Sequence, residues 1–388
     1  MQKHPTASDK SPLAFSSDEH TRYSRHFNLP LVGPTGQQQL KAARVLCIGA
    51  GGLGCPVLLY LAAAGVGTLG IVDHDIVDLS NLQRQVLYTT QDIGQPKAIA
   101  AKTRLHALNP HCTVISHSVA LTHDNALALI QDYDIVVDGT DNFAARYLIN
   151  DACFHLQKPL VYAGIFQFEG QCSVFNVTNN PCYRCLYAAP PPPGLMPNCA
   201  EGGVLGVLPG ILGTLQANEV LKLILGIGTP LVGRLLTVDA LTLQFQEFAV
   251  QKNPDCCLCT HHQPFESLPY HAATTCAQQP LEMEQDTISV REFYALQQQQ
   301  ADFVLLDVRE PYEHQGSNIG GILIPLAQLP ACLDKLDKSK SYIVYCRVGE
   351  RSHFAMTLMQ AAGFNSVKNL AGGLKAWARE IDPKMVVY

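Results

Sequence analysis

The chain has no apolar run of membrane-spanning length, because glycines and polar residues interrupt each one. That predicts no transmembrane helix. It has no surplus of positive charge either. With 27 Lys and Arg against 33 Asp and Glu, the formal net charge is −6, which removes the electrostatic case for nucleic acid or an anionic membrane. The opening residues, Met1-Gln-Lys-His-Pro-Thr6, lack the apolar core that a signal peptide needs. Charge is sparse as well, at 15% of residues against 47% hydrophobic. A chain of 388 residues with that balance is expected to fold as two domains, each burying a sizeable core.

Cysteine, in contrast, is plentiful. Without a secretory signal, the 14 cysteines point to a reducing compartment, with cytoplasm as the expected location. There thiols serve as metal ligands or reactive groups.

The first half alternates strands and helices. Arg44-Val-Leu-Cys-Ile-Gly49 is a short apolar strand entering a glycine turn, Leu53 to Ala64 an alanine-rich helix, and Leu69 to Asp73 a second strand. Pro96 stands near the first turn of a further helix, where its missing N–H costs nothing. Strands are expected at 113–119, 134–138 and 159–163, giving a doubly wound, mostly parallel α/β sheet of Rossmann type. Residues 170–177 and 234–250 read as an antiparallel extension, with a helix over 205–225 between them. From Thr260 to about Asp286 the pattern dissolves into His, Gln, Pro, Ser and Thr, a linker. A smaller α/β unit follows. The expected division is a tail (1–19), a first domain (20–262), a linker (263–285) and a second domain (286–388).

Gly49-Ala-Gly-Gly-Leu-Gly54 fits G-x-G-x-x-G between a strand and a helix, and includes Gly51 and Gly52. Such a turn lets backbone N–H groups approach phosphates. Asp73, at the end of the next strand, is placed to bind ribose hydroxyls. On this motif alone two readings stand: nucleotide binding, with NAD the ordinary ligand, and glycines kept for close helix–strand packing. The polar groups after later strands shift the balance. Asp73-His-Asp75, Ser80-Asn81 through Arg84, Gly94-Gln-Pro-Lys97 and Asp138 through Asp141-Asn142 follow one another along the chain. Arg84 and Lys97 suit a triphosphate and Asp141 suits Mg²⁺, although each alone would more often be a surface ion pair.

From His20 to His261 these motifs, with Arg22-Tyr-Ser-Arg25 ahead of them, resemble the adenylyltransferases that activate molybdopterin-synthase and thiamine sulfur carriers, relatives of the ubiquitin-activating enzymes. The resemblance implies that Gly52 and Asp73 hold the adenosine of ATP, and that Asn81, Arg84 and Lys97 hold its phosphates. It also implies that Asp141 positions Mg²⁺ and the attacking carboxylate, and that Arg25 reaches the phosphates of the other subunit in a homodimer. The chain ends Lys384-Met-Val-Val-Tyr388, without Gly-Gly. The carboxylate activated is therefore expected to belong to a partner, a ubiquitin-like sulfur-carrier protein with a C-terminal Gly-Gly.

Two C-x-x-C units, Cys182 with Cys185 and Cys256 with Cys259, have the spacing of a four-thiolate structural Zn²⁺ site. Cys257 remains a minor alternative within the second pair. Between them, Pro190 to Pro193 begins an extended loop that carries Cys199. As a residue this is an accessible thiol. The resemblance adds a second reading, capture of the activated carboxylate.

Residues 286–388 resemble a single rhodanese domain, on Leu306-Asp-Val-Arg-Glu-Pro-Tyr-Glu-His314, Cys346-Arg-Val-Gly-Glu-Arg-Ser352 and Leu370-Ala-Gly-Gly through Trp377. Cys346 ends an apolar strand, so loop N–H groups can ring its sulfur, and Arg347 and Arg351 favour a thiolate or persulfide. Related cysteine phosphatases space Cys and Arg one residue wider. The segment Gly316-Ser-Asn-Ile-Gly-Gly-Ile322 departs from the usual rhodanese pattern.

Together these resemblances imply ATP-dependent adenylation of a sulfur carrier, then sulfur transfer from a Cys346 persulfide to form a thiocarboxylate. The sulfur donor would be a cysteine desulfurase or thiosulfate. Two rivals are a nucleotide-dependent oxidoreductase with a redox rhodanese domain, and a non-catalytic carrier-binding scaffold.

Overall fold

The computed structural model describes residues 14–190, 203–268, 286–299 and 301–387. It separates into two compact units.

In the first unit one sheet runs in the order β3-β2-β1-β4-β5-β6-β7-β8. The strands are β1 (Arg44–Ile48), β2 (Thr68–Val72), β3 (Thr113–His117), β4 (Ile135–Asp138), β5 (Leu160–Phe166), β6 (Glu169–Phe175), β7 (Arg234–Asp239) and β8 (Gln244–Ala249). From β3 to β5 every pairing is parallel. From β5 to β8 every pairing is antiparallel, so the expected extension is present. Val45 to Ile48 and Ile135 to Asp138 are buried throughout, as continuous apolar runs in a sheet covered on both faces should be.

The helix Gly54–Ala64 ends at Gly65 in the left-handed conformation, the usual way to stop a helix. The long helix spans Val207–Leu225, two residues shorter at its start than the sequence suggests. It lies close against the end of the glycine turn, since a Cβ on Gly213 would collide with the Leu53 carbonyl. From this helix Gln216 Nε2 donates to the carbonyls of Asp138 (2.8 Å) and Val161 (3.2 Å), tying β4 and β5 to it. Residues just past the second cysteine pair read as linker, yet Phe265 is buried and stacked on His123 at 4.4 Å. One aromatic side chain anchors an otherwise polar stretch.

In the second unit five parallel strands run in the order β11-β10-β12-β13-β9. They are β9 (Thr287–Ile288), β10 (Val304–Asp307), β11 (Ile322–Leu323), β12 (Tyr342–Tyr345) and β13 (Val367–Leu370). One core, around Val344, Met356 and Phe364, and another, around Phe293, Tyr345 and Trp377, are each built on this sheet.

Candidate functional site

In the first unit the chain leaves β1 toward β2 and β3 on one side, then crosses to β4 and β5 on the other. The crevice between the ends of β1 and β4 is therefore a topological switch point, where open α/β sheets bind ligands. Gly49, at φ +92, follows β1, and a Cβ there would lie 2.7 Å from the Gly139 carbonyl after β4. Only glycine allows that approach. Tyr88 Oη donates to the Ala50 carbonyl at 2.8 Å and braces the turn. A Cβ on Gly52 would sit 3.6 Å from the Arg84 side chain, so Arg84 lies beside the turn. Gly51 faces Gln85 in the same way.

Asp73 is buried at the end of β2. One carboxylate oxygen accepts the Ala50 N–H and the other the Asp75 N–H, each at 2.8 Å. Burial pushes its pKa up, while the Lys97 charge and these two N–H groups oppose that shift. Lys97 opens the helix Lys97–Leu108, and its buried side chain ends 2.9 Å from Asp75 Oδ2. Ser80 donates to Asp78, and Arg84 donates to the Ser80 carbonyl at 3.0 Å. Asn81, in the same short turn, accepts the Asp78 N–H through its side-chain oxygen and closes a reciprocal cap with Asp78.

After β4, Asp138 Oδ1 accepts from the Thr140 N–H and hydroxyl and shapes the turn. Asp141 and Asn142 come next and are exposed. Asn142 caps the helix Phe143–His155 by accepting the Ala145 N–H at 2.9 Å. Arg25 is exposed on the short helix Ser24–Phe27. Cys199 lies outside the described residues.

The four predicted thiols converge. Cys182 and Cys185 sulfurs are 3.9 Å apart, Cys182 and Cys256 3.6 Å, and Cys185 and Cys259 3.2 Å. Zinc–sulfur bonds of about 2.3 Å set tetrahedral sulfur separations near 3.8 Å, so this donor set fits Zn²⁺. Hydrogen bonding to Cys182 pulls the Cys185 thiol below its ordinary value. Cys257 is not among the four. Within the first pair, Arg184 makes a buried bidentate ion pair with Asp151 (2.8 and 2.7 Å), fastening this knuckle to the Phe143–His155 helix.

In the second unit the switch point lies between β10 and β12, and Cys346 follows β12 there. It is buried. The Gly349 N–H donates to its sulfur at 3.1 Å. Gly349 adopts φ +99 as the cap of the helix Glu350–Ala361. The Leu374 and Lys375 N–H groups donate to the carbonyls of Cys346 and Arg347. A Cβ on Gly373 would collide with the Cys346 carbonyl, which explains the second glycine of the pair before Trp377. Arg347 is half-buried on the loop. Arg351 is buried and committed to Glu313 through two hydrogen bonds of 2.7 and 2.8 Å. Burial would raise the Glu313 carboxyl, but Arg351 outweighs it and holds that carboxyl below its ordinary value.

A family model described as the ThiF family matches residues 23–259, more than half of the sequence. The chain belongs to the ThiF family. Its second unit matches the rhodanese-like domain over residues 289–380. This ThiF-family chain is 44% identical over 384 residues to the probable adenylyltransferase/sulfurtransferase MoeZ of Mycobacterium tuberculosis, covering 97% of each. It is 54% identical over 252 residues to the sulfur carrier protein adenylyltransferase of Thermus thermophilus, covering 64% of this chain and 93% of the relative. Against the adenylyltransferase and sulfurtransferase MOCS3-1 of Zea mays it is 39% identical, covering 95% and 83%. The solved structure of E. coli MccB with MccA-N7isoASN shares the fold at TM-score 0.57 and 23% identity, over 63% of this chain and 75% of that one. The chain is thus an ATP-using adenylyltransferase joined to a sulfurtransferase and acts on a sulfur carrier.

Sequence reasoning overlooked the supports of this ThiF-family site. Gln216, Gly139 and Tyr88 are far from the motifs they hold. In the rhodanese-like domain, Glu313 and Ser352 stood inside quoted motifs without a role. Asn369, next to Leu370, carried no signal at all.

Proposed function

We propose that the chain adenylates the C-terminal glycine of a ubiquitin-like sulfur carrier and then converts it to a thiocarboxylate with sulfur held on Cys346. What carries this reading is the pairing, in one chain, of a strand-end nucleotide crevice with a loop-held cysteine, alongside near full-length similarity to adenylyltransferase/sulfurtransferases.

In this reading Gly49, Gly51 and Gly52 let the backbone approach the nucleotide and Asp73 holds the adenosine, with Asp75 and Ser80 lining the same edge. Asn81, Arg84 and Lys97 hold the phosphates, and Asn142 keeps Asp141 at the head of its helix. The carrier's carboxylate oxygen attacks the α-phosphorus, and pyrophosphate leaves with the bonding pair. Fixed cations and N–H groups favour that step by alignment and charge. Asp141 would hold Mg²⁺, whose charge would offset that of the phosphates. The four cysteines 182, 185, 256 and 259 would hold a structural Zn²⁺.

The outer sulfur of a Cys346 persulfide then attacks the acyl carbon and AMP leaves. Attack by a thiolate on the Cys346 sulfur releases the thiocarboxylate and leaves a disulfide, which a cellular thiol reduces. Cys199 is our candidate for that thiolate, or alternatively for an acyl intermediate. Cysteine desulfurases or thiosulfate would load Cys346, with Arg347 near the incoming anion. The chain would work as a cytoplasmic homodimer in which Arg25 serves the partner subunit's site. Molybdenum cofactor, thiamine and tRNA thiolation pathways all fit this chemistry.

The test is ATP–pyrophosphate exchange with and without an added Gly-Gly carrier. Exchange that depends on the carrier supports the reading, and exchange indifferent to a Gly-Gly carrier would overturn the assignment of its C-terminal glycine as the group activated.

A further inference from the structure

Ser352, in the first turn of the helix after the Cys346 loop, and Asn369, on β13, are both fully buried. Ser352 Oγ lies 2.7 Å from Asn369 Oδ1 and 3.4 Å from Cys346 Sγ. A serine hydroxyl has one hydrogen and donates once. Facing two acceptors, it gives that hydrogen to the nearer, and the sulfur goes without. Meanwhile Asn369 Nδ2 is buried with no partner among the described residues.

Turning the Asn369 amide by half a turn resolves both difficulties, because its two ends are nearly isosteric. Nδ2 then donates to Ser352 Oγ, and the hydroxyl hydrogen is free to point at the sulfur. The under-satisfied atom becomes a carbonyl oxygen, which is tolerated more often than an orphan N–H.

We infer that Asn369 is a positioning residue for the sulfur chemistry, orienting the Ser352 hydroxyl so that it donates to the Cys346 sulfur. The inference rests on Cys346 being the nucleophile. A hydrogen bond to the anion favours thiolate. That thiolate forms the S–S bond to the sulfane sulfur of thiosulfate, and sulfite leaves with the electron pair of the broken bond.

The experiment follows iodoacetamide alkylation of the Cys346 peptide against pH in the full-length protein, read by mass spectrometry. Ser352→Ala should raise the midpoint by about one pH unit, about tenfold less thiolate below it, whereas Ser352→Thr should keep the wild-type midpoint. Asn369→Ala should shift it in the same direction, yet add nothing in the Ser352→Ala background. An unmoved midpoint in Ser352→Ala, or fully additive shifts, would overturn the inference. Other charged groups near the loop are Arg347, Glu350, His353, Lys375, the Arg351–Glu313 pair, and Asp307 at the end of β10 with Arg309 and His314 after it. All stay the same in these comparisons. Should Asn369→Ala not fold, ¹⁵N-asparagine labelling of wild type decides. One side-chain amide should shift with the Cys346 midpoint, and its absence overturns the inference. Alkylation does not require turnover, so a failure of the sulfurtransferase reading would appear separately, as thiosulfate activity persisting in Cys346→Ala.

Discussion

The two strand-end sites sit at equivalent places in their sheets but handle charge in opposite ways. At the nucleotide crevice Asp75 and Asp141 are exposed, while Asp73, Asp138 and Lys97 are buried. At the cysteine loop Asp307, Arg309 and Arg351 are buried and locked into ion pairs. A site for a diffusible polyanion needs charges that can still be engaged. A site built on a covalent nucleophile needs a rigid loop, and spends its charges on that rigidity.

If that contrast is right, the units should fail separately. The largest effect belongs to Cys346→Ala, which should abolish sulfur transfer from thiosulfate while leaving carrier-dependent pyrophosphate exchange near wild type. Loss of exchange in folded protein would break the comparison. Cys182→Ser should next release metal and lower the melting temperature of the first unit, because four thiolates join segments far apart in sequence. The lone tryptophan, Trp377, lies in the second unit. Its fluorescence transition should not move in Cys182→Ser.

Trp377 also reads the third expectation. Arg351→Met leaves the largely covered Glu313 carboxylate without its cation, which should destabilise the second unit by about 1–3 kcal/mol. Adding Glu313→Leu should recover most of that loss, and a double variant no better than the single one would count against the pair. The pH dependence follows the same pair. Since the folded Glu313 pKa lies below its unfolded value, its contribution is present above the unfolded value, near pH 4.3, and is lost as pH falls through the folded one.

The smallest effect, yet the most direct test of the crevice, is Asp141→Ala. On the proposed role, in which this carboxylate acts as the α-phosphate is attacked, the substitution should cut exchange by about a hundredfold, or about 2.7 kcal/mol. ATP binding and thiosulfate activity should persist. Near-normal exchange would reduce Asp141 to a residue at a strand end.

Much of the fold was legible because strands and helices here follow period and punctuation: apolar runs at 44–48 and 135–138, the glycine turn at 49–54, Pro96 before its helix. The antiparallel extension was legible for the same reason. Phe265 was not, because one aromatic residue in a polar stretch has no periodicity until His123 is beside it.

By itself the sequence determined the strand order's ingredients, the glycine turn, the two cysteine pairs and the strand-end Cys346 loop, since each is written in contiguous residues with local backbone demands. The tertiary structure alone decided who holds what. The close approach of Gly49 to Gly139, Lys97 meeting Asp75, Glu313 meeting Arg351, and Asn369 meeting Ser352 all join segments separated along the chain. Hydrogen bonds and ion pairs act over a few ångströms in space and leave no period in sequence, so only the packed sheet could reveal them.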